Sequence, residues 1–217
     1  YWDWEQYLMD KILPCQPTFA PQTYLALWSN LNGYNISDGI MQSWGKMSFT
    51  GTHTGQADNT ELVITDAAWS DLNPLFQDDT SSSFISGATM DPLIYYDADL
   101  SVWPHLAESY TMLNDTTLEI VAREGIPWGA DPDGGTGEFF DIEDVYFTLF
   151  AWKYLSNDQQ VYDWIEDMEM DQSQRKLTIY IDGDPDTPEN EPYAPFLPSV
   201  SLNILPEHWL NKTQYVD

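Results

Sequence analysis

The chain has 217 residues and sets 36 Asp and Glu against 7 Lys and Arg, a formal net charge of −29. So acidic a chain has almost no basic surface for phosphate contacts, which excludes nucleic-acid binding by counterion release and adsorption to an anionic leaflet. Its 42% hydrophobic and 15% aromatic content is too rich for a disordered acidic tail and suits one or two globular domains. The single cysteine, Cys15, has no partner here for a disulfide or a multi-cysteine metal site, and no run of 18 apolar residues offers a membrane-spanning helix.

Aspartate outnumbers glutamate 24 to 12, a skew that suits exposure to salt or to the outside of a cell, where self-repulsion is screened. No charged-then-apolar signal segment precedes the first structural pattern, so the sequence is expected to be a piece of a longer chain. Residues 1–13 have helical spacing, with Tyr1, Trp4, Leu8 and Ile12 on one face, stopped by Pro14 and Pro17. Turn signals follow at 32–35 (NGYN) and 38–39 (DG), and the small polar run 52–60 is the best linker candidate.

A second pattern starts at Glu61. The apolar run LVIT (62–65) predicts a buried strand, broken by SDLNP (70–74). TSSSF (80–84) offers hydroxyl caps for a helix carrying Phe84, Ile85 and Ala88, and YYDAD (95–99) predicts a turn. TLEIVA (117–122) alternates as a strand and DPDGGTG (131–137) is a loop. Asp141 with Asp144 three residues on forms the pattern of a capping box, opening a helix through Val145, Leu149, Phe150 and Trp152. Leu177, Ile179 and Ile181 alternate along another strand, 182–192 is an acidic Pro-rich loop, and Pro206 opens a short helix. Irregularly alternating strands and helices imply a mixed α/β domain.

Chemistry-bearing patterns are sparse. His53, His105 and His208 lack metal-ligand spacing. No GxSxG elbow, GxGxxG or Walker loop occurs, so neither a serine nucleophile, a nucleotide nor any other cofactor is expected. Asp182, Asp184 and Asp186 begin like a calcium loop, but Thr187 stands where glycine is needed and Tyr193 where the bidentate glutamate is needed; Asp131 and Asp133 fail the same way. Glu166 and Asp171 are a conceivable glycosidase pair, although among 36 carboxylates some pair always looks plausible. Sequons at Asn35, Asn114 and Asn211 suit a secreted protein, but three is close to chance for this composition. Ten tryptophans are the unusual feature; most are expected in the core, with a few lining a ligand cleft. Trp69 is the strongest cleft candidate, because it follows the first expected strand at a break where free backbone groups could take an extended peptide by strand addition.

From Glu61 the ordered segments resemble the extracytoplasmic solute-binding proteins of family 5, the oligopeptide, dipeptide, nickel and oligosaccharide receptors of ABC importers. The resemblance runs through LVIT and SDLNPLF, then MDPLIYYDADLSVWPHLAESYTMLNDTTLEIVAREGIPW, FFDIEDVYFTLFAWKYLSN and ILPEHWLN, over about 150 residues. The insert ADPDGGTGEFF is longer than the family's usual turn, and Asp141-Ile142 replaces its common Thr-Ala. WEQYLMDKILPCQPTFAPQTYLALWSNLNGYN looks like the family's closing segment, placed ahead of an opening one. Residues 1–56 are therefore expected to be either the end of a preceding module or an extension of the first lobe. Residues 57–217 are expected to be that first lobe, with 57–79 and 195–217 as its core sheet and 80–194 as an inserted subdomain.

The resemblance implies the mixed-sheet first lobe of a two-lobe, Venus-flytrap (type II) periplasmic-binding-protein fold, with the second lobe absent from this stretch. It implies a non-catalytic receptor for oligopeptides or oligosaccharides, working with a membrane ABC permease at the cell surface or in the periplasm, membrane-anchored in the full-length protein. Its ligand contacts would be Ala68, Trp69 and Ser70 after the first strand and Asn157 after the capped helix. Rival readings are a secreted hydrolase using a carboxylate pair and a structural surface module.

Overall fold

The structure is a computed structural model and describes residues 2–12, 26–37, 41–96, 101–129 and 137–211. The expected turn at 38–39 and the loop at 131–136 lie outside the described residues, as do Asp97 and Asp99 of the expected turn at 95–99.

Helix α1 (Trp2–Tyr7), extended by a π-helical turn (Leu8–Ile12), forms where helical spacing predicts it. Its aromatic side chains Trp2, Trp4 and Tyr7, with Met9, are exposed. Strands β1 (Leu31–Asn32) and β2 (Ser48–Phe49) make an isolated antiparallel ribbon on either side of a 3-10 turn, Met41–Lys46. The segment expected as a linker folds back on this ribbon. The Asn30 amide donates to the Gly51 carbonyl (3.0 Å) and to Gln56 (2.8 Å), and the rings of Trp28 and His53 lie 5.3 Å apart.

The strand expected at 62–65 does not form. Residues 61–73 carry no regular structure and Val63 is 82% exposed. Four apolar residues become a strand only where a neighbouring strand takes their N–H and C=O groups, and among the described residues nothing pairs with them. Helix α2 (Thr80–Thr89) follows, capped by the Asp79 carboxylate rather than by a hydroxyl of 80–84; the Ser82 N–H donates to Asp79. A carboxylate accepts from first-turn N–H groups and also meets the helix dipole favourably.

Tyr95 and Tyr96, expected in a turn, belong to strand β3 (Ile94–Tyr96), which pairs with β4 (Val102–Pro104). The main sheet consists of β5 (Ala107–Asn114), β6 (Thr117–Ala122), β7 (Ile165–Asp171) and β8 (Lys176–Ile181), antiparallel in the order β5-β6-β8-β7. It lies wholly within 80–194, the stretch expected as a subdomain. Neither 57–79 nor the described part of 195–217 adds a strand to it: among the described residues the edge strand β5 pairs with β6 alone and the edge strand β7 with β8 alone.

The alternation expected in β6 and β8 sets the two faces of the sheet. Leu118, Ile120 and Ala122 of β6, with Leu177, Ile179 and Ile181 of β8, are fully buried under helix α3 (Ile142–Leu155). The opposite face is polar, with Lys176 3.2 Å from Glu119 and the Tyr180 hydroxyl donating to Glu169. Short helices α4 (Phe196–Ser199) and α5 (Glu207–Leu210) are the last described elements; between them Val200, Leu202 and Ile204 join the core, and the Ile204 N–H donates to the Asp91 carbonyl. The tryptophans depart from the core expectation. Trp164 is buried and Trp128 and Trp152 pack against the core, whereas Trp2, Trp4, Trp28, Trp69 and Trp103 are all at least 40% exposed.

Candidate functional site

The capping box expected at the start of α3 is complete. Asp141 accepts from the Glu143 and Asp144 N–H groups, and the Asp144 carboxylate accepts from the Asp141 N–H. Asp144 reaches further than the box requires. Its Oδ2 also accepts from the Trp128 indole N–H (3.0 Å) and its Oδ1 from the Glu207 N–H (2.7 Å), so one carboxylate joins α3 to residue 128 and to the start of α5. Thr148, one turn on, donates to the Asp144 carbonyl and accepts from the Leu205 N–H. Burial pushes the Asp144 carboxyl above its ordinary value, although the three N–H groups aimed at it favour the charged form. Glu143 is raised too, first by burial and then by the charges of Asp141, Glu207 and Asp144.

Ser70 and Asn157 hold one loop, the first at its ends and the second at its middle. The Ser70 N–H donates to Asp79 (3.1 Å) and to the Ser82 hydroxyl (3.1 Å), and its own hydroxyl donates to Asp78 and Asp79. These contacts hold the Asp79 carboxyl well below the usual carboxylate range. Asn157, at the end of α3, donates its backbone N–H to the Leu75 carbonyl (3.0 Å) and its amide to the Phe76 carbonyl (3.4 Å). The two positions, 87 residues apart in sequence, thus both bind the 70–79 loop, Ser70 tying its ends together and Asn157 holding its middle. The backbone of Ser70 is occupied by the α2 cap, which corrects the expectation that its N–H is free. Ala68 and Trp69 have no hydrogen-bond partner among the described residues, and the Trp69 side chain is 56% exposed.

Beside this loop lies an apolar groove of about 1170 Å³ that sequence reasoning missed. Its walls are Leu72 to Phe76, the outer side of α3 (Tyr146, Phe147, Phe150, Leu155) and the end of α5 (Trp209, Leu210), with Glu143 and Glu207 at its rim. None of Ala68, Trp69, Ser70 or Asn157 lines it. The groove had a signal in α3, whose sequence IEDVYFTLFAWKYL is apolar on both sides, as expected of a helix flanked by two surfaces rather than one. Phe150 is accordingly 41% exposed on the groove side.

The other candidates do not assemble. Glu166 and Asp171 both stand on the edge strand β7, outside the groove. Asp182 closes its own loop, accepting from the N–H groups of Asp184 and Glu191. His105 bonds Asp91 at 2.9 Å, and the rings of His208 and Trp128 lie 6.1 Å apart. Among the described residues no group of three or more His, Cys, Asp or Glu is placed to hold a metal ion, and no helix is long and apolar enough to cross a membrane.

No protein-family model and no curated protein matches the chain. Solved structures do. The periplasmic binding protein DppA from Helicobacter pylori, ABC transporter-associated and in complex with the peptide STSA, aligns over 70% of this chain and 32% of its own, with 20% identity and a TM-score of 0.54. HbpA2 from Haemophilus parasuis aligns over 67% of this chain and 31% of its own, with 17% identity and a TM-score of 0.55. The binding protein AgaA from A. tumefaciens R10, in complex with agropinic acid, aligns over 68% and 28%, with 21% identity and a TM-score of 0.51. The chain thus spans about a third or less of each of these proteins. The four-stranded sheet under a capped helix, with its flanking segments, has the fold of one lobe of a periplasmic binding protein.

Proposed function

We propose that this chain is the ligand-facing first lobe of an extracytoplasmic solute receptor that captures oligopeptides, or alternatively oligosaccharides, for import by a membrane ABC permease. The observation that carries the reading is the fold likeness to binding proteins whose structures hold a peptide or another small organic acid. In such a receptor two lobes close on the solute, and a hinge couples capture to delivery. We assign the contacts of this lobe to Ala68, Trp69 and Ser70, with Asn157 positioning the loop that follows them. Support comes from the exposure of Trp69 and from the backbone of Ala68 and Trp69, which has no partner among the described residues; both suit an aromatic stacking contact beside main-chain hydrogen bonds to an extended ligand. On this reading the full-length protein works at the cell surface or in the periplasm, anchored to the membrane. The reading is of a binder, not an enzyme.

Tryptophan-fluorescence titration with short peptides and linear oligosaccharides tests the assignment. Trp69→Ala is expected to weaken binding of whichever class saturates by about tenfold, the loss of roughly 1.4 kcal/mol of aromatic contact. An unchanged affinity would move the ligand away from residues 68–70.

A further inference from the structure

Counting sequons leaves their use open, whereas the local geometry separates the three. We propose that Asn114 is an N-glycosylation acceptor, modified on its side-chain Nδ2. Asn114 is exposed at the tip of the β5–β6 hairpin, where it pairs with Thr117 across the two residues Asp115 and Thr116. Its Oδ1 accepts both from the Thr116 N–H (2.9 Å) and from the Thr116 hydroxyl (3.1 Å). The acceptor asparagine and the hydroxyl two residues on, the two groups that define the motif, are thus already in contact in the folded protein. The turn is held in place, because the Thr116 carbonyl accepts from the Ile181 N–H on β8. The Nδ2 atom donates to nothing among the described residues.

The other two sequons lack one or more of these features. Among the described residues the Asn35 side chain accepts from the backbone N–H of Ser37 but not from the Ser37 hydroxyl. The Asn211 Nδ2 is engaged by Glu207 at 2.6 Å, and Asn211 lines the apolar groove, where a bulky hydrophilic group would be out of place. At the hairpin tip a glycan projects into solvent and covers neither the core nor the groove.

The chemistry is a group transfer from a lipid-phosphate-linked oligosaccharide, catalysed by a membrane transferase. Nδ2 attacks the anomeric carbon, the new N–C bond forms as the C–O bond to phosphate breaks, and the lipid phosphate leaves. The Nδ2 proton passes to a base of the transferase. Two hydrogen bonds on Oδ1 draw electron density from the amide and make that proton easier to lose. The proposal rests on the extracytoplasmic location given above.

The test is peptide mapping by mass spectrometry on protein purified from its native host, with envelope and cytosolic fractions analysed separately. The expected result is a peptide containing Asn114 that carries a glycan mass, with asparagine converted to aspartate on enzymatic release. The mass is lost in Asn114→Gln and Thr116→Ala and kept in Thr116→Ser. Envelope protein with an unmodified Asn114 overturns this proposal alone. Cytosolic protein with an unmodified Asn114 overturns it together with the location on which it rests.

Discussion

Asp144→Ala is expected to lower the free energy of unfolding by about 3 kcal/mol, since each buried donor left without an acceptor costs roughly 1–3 kcal/mol and relief of the buried charge offsets part of the sum. Three donors are stranded: the Trp128 indole, the Asp141 N–H and the Glu207 N–H. Asp144→Asn keeps the shape and one carbonyl oxygen but turns an NH₂ toward a donor, so it should cost about half as much. Urea denaturation of the two variants reads the difference, and a loss below about 0.5 kcal/mol for the alanine variant, the range of an ordinary surface substitution, would show that the carboxylate does not tie α5 to α3.

The same group sets a pH dependence whose sign is unusual for an aspartate. Burial raises the folded carboxyls of Asp144 and Glu143 above their ordinary values of 3.8 and 4.5. Their charged forms therefore oppose folding at neutral pH. Stability should rise as the pH falls from neutral through the raised folded values, and this gain is complete once the pH drops below the ordinary ones. Asp79, Asp58 and Asp171 act in the opposite sense: their hydrogen-bonded carboxyls are lowered, so their contribution is lost only as the pH falls below 3.8 toward their folded values. Maximum stability is expected in mildly acid solution, and Asp144→Asn should flatten the rise on the neutral side.

Ile179→Ala is expected to cost about 4 kcal/mol, within the range for removing a large aliphatic side chain from a packed core. Ile179 is fully buried at the centre of the sheet, between Leu118 of β6 and Met168 of β7. Its neighbour Thr178 faces the polar side, and Thr178→Ala should fall within about 0.5 kcal/mol of the wild type. Because a one-residue slip in register exchanges the two faces, equal effects at 178 and 179 would contradict the strand pairing itself.

Local chemistry made the centre of this fold legible. The strands at 117–122 and 176–181 announce themselves by clean alternation, and α3 by a cap whose two acidic residues satisfy each other's backbone within four positions. What needed distant partners was not legible. LVIT has strand composition, yet a strand is made by its neighbour, and no neighbour is written into four residues. Strand β7 (IEDMEMD) hides for another reason: a bulge between Ile165 and Asp167 breaks the alternation, and its exposed carboxylates give no apolar face to read. Tyr95 and Tyr96 were masked by the aspartates that follow them. For the candidate site, the sequence indicates Trp69 through an aromatic residue beside a break in the expected strand pattern. It does not indicate that Ser70 is bound into the α2 cap, because Asp79 lies nine residues away. The groove along α3 was readable in principle, from a helix too apolar for one buried face.

The measurement that tests the central claim most directly is isothermal titration calorimetry of the full-length protein against a panel of short peptides and linear oligosaccharides, with the recovered panel checked for cleavage. A receptor is expected to give saturable binding to one class and return that class intact, and a saturating ligand should also stabilise it by about 2.7 kcal/mol at a hundredfold excess over Kd. Cleavage of any panel member, or the absence of saturable heat across both classes, would contradict the account.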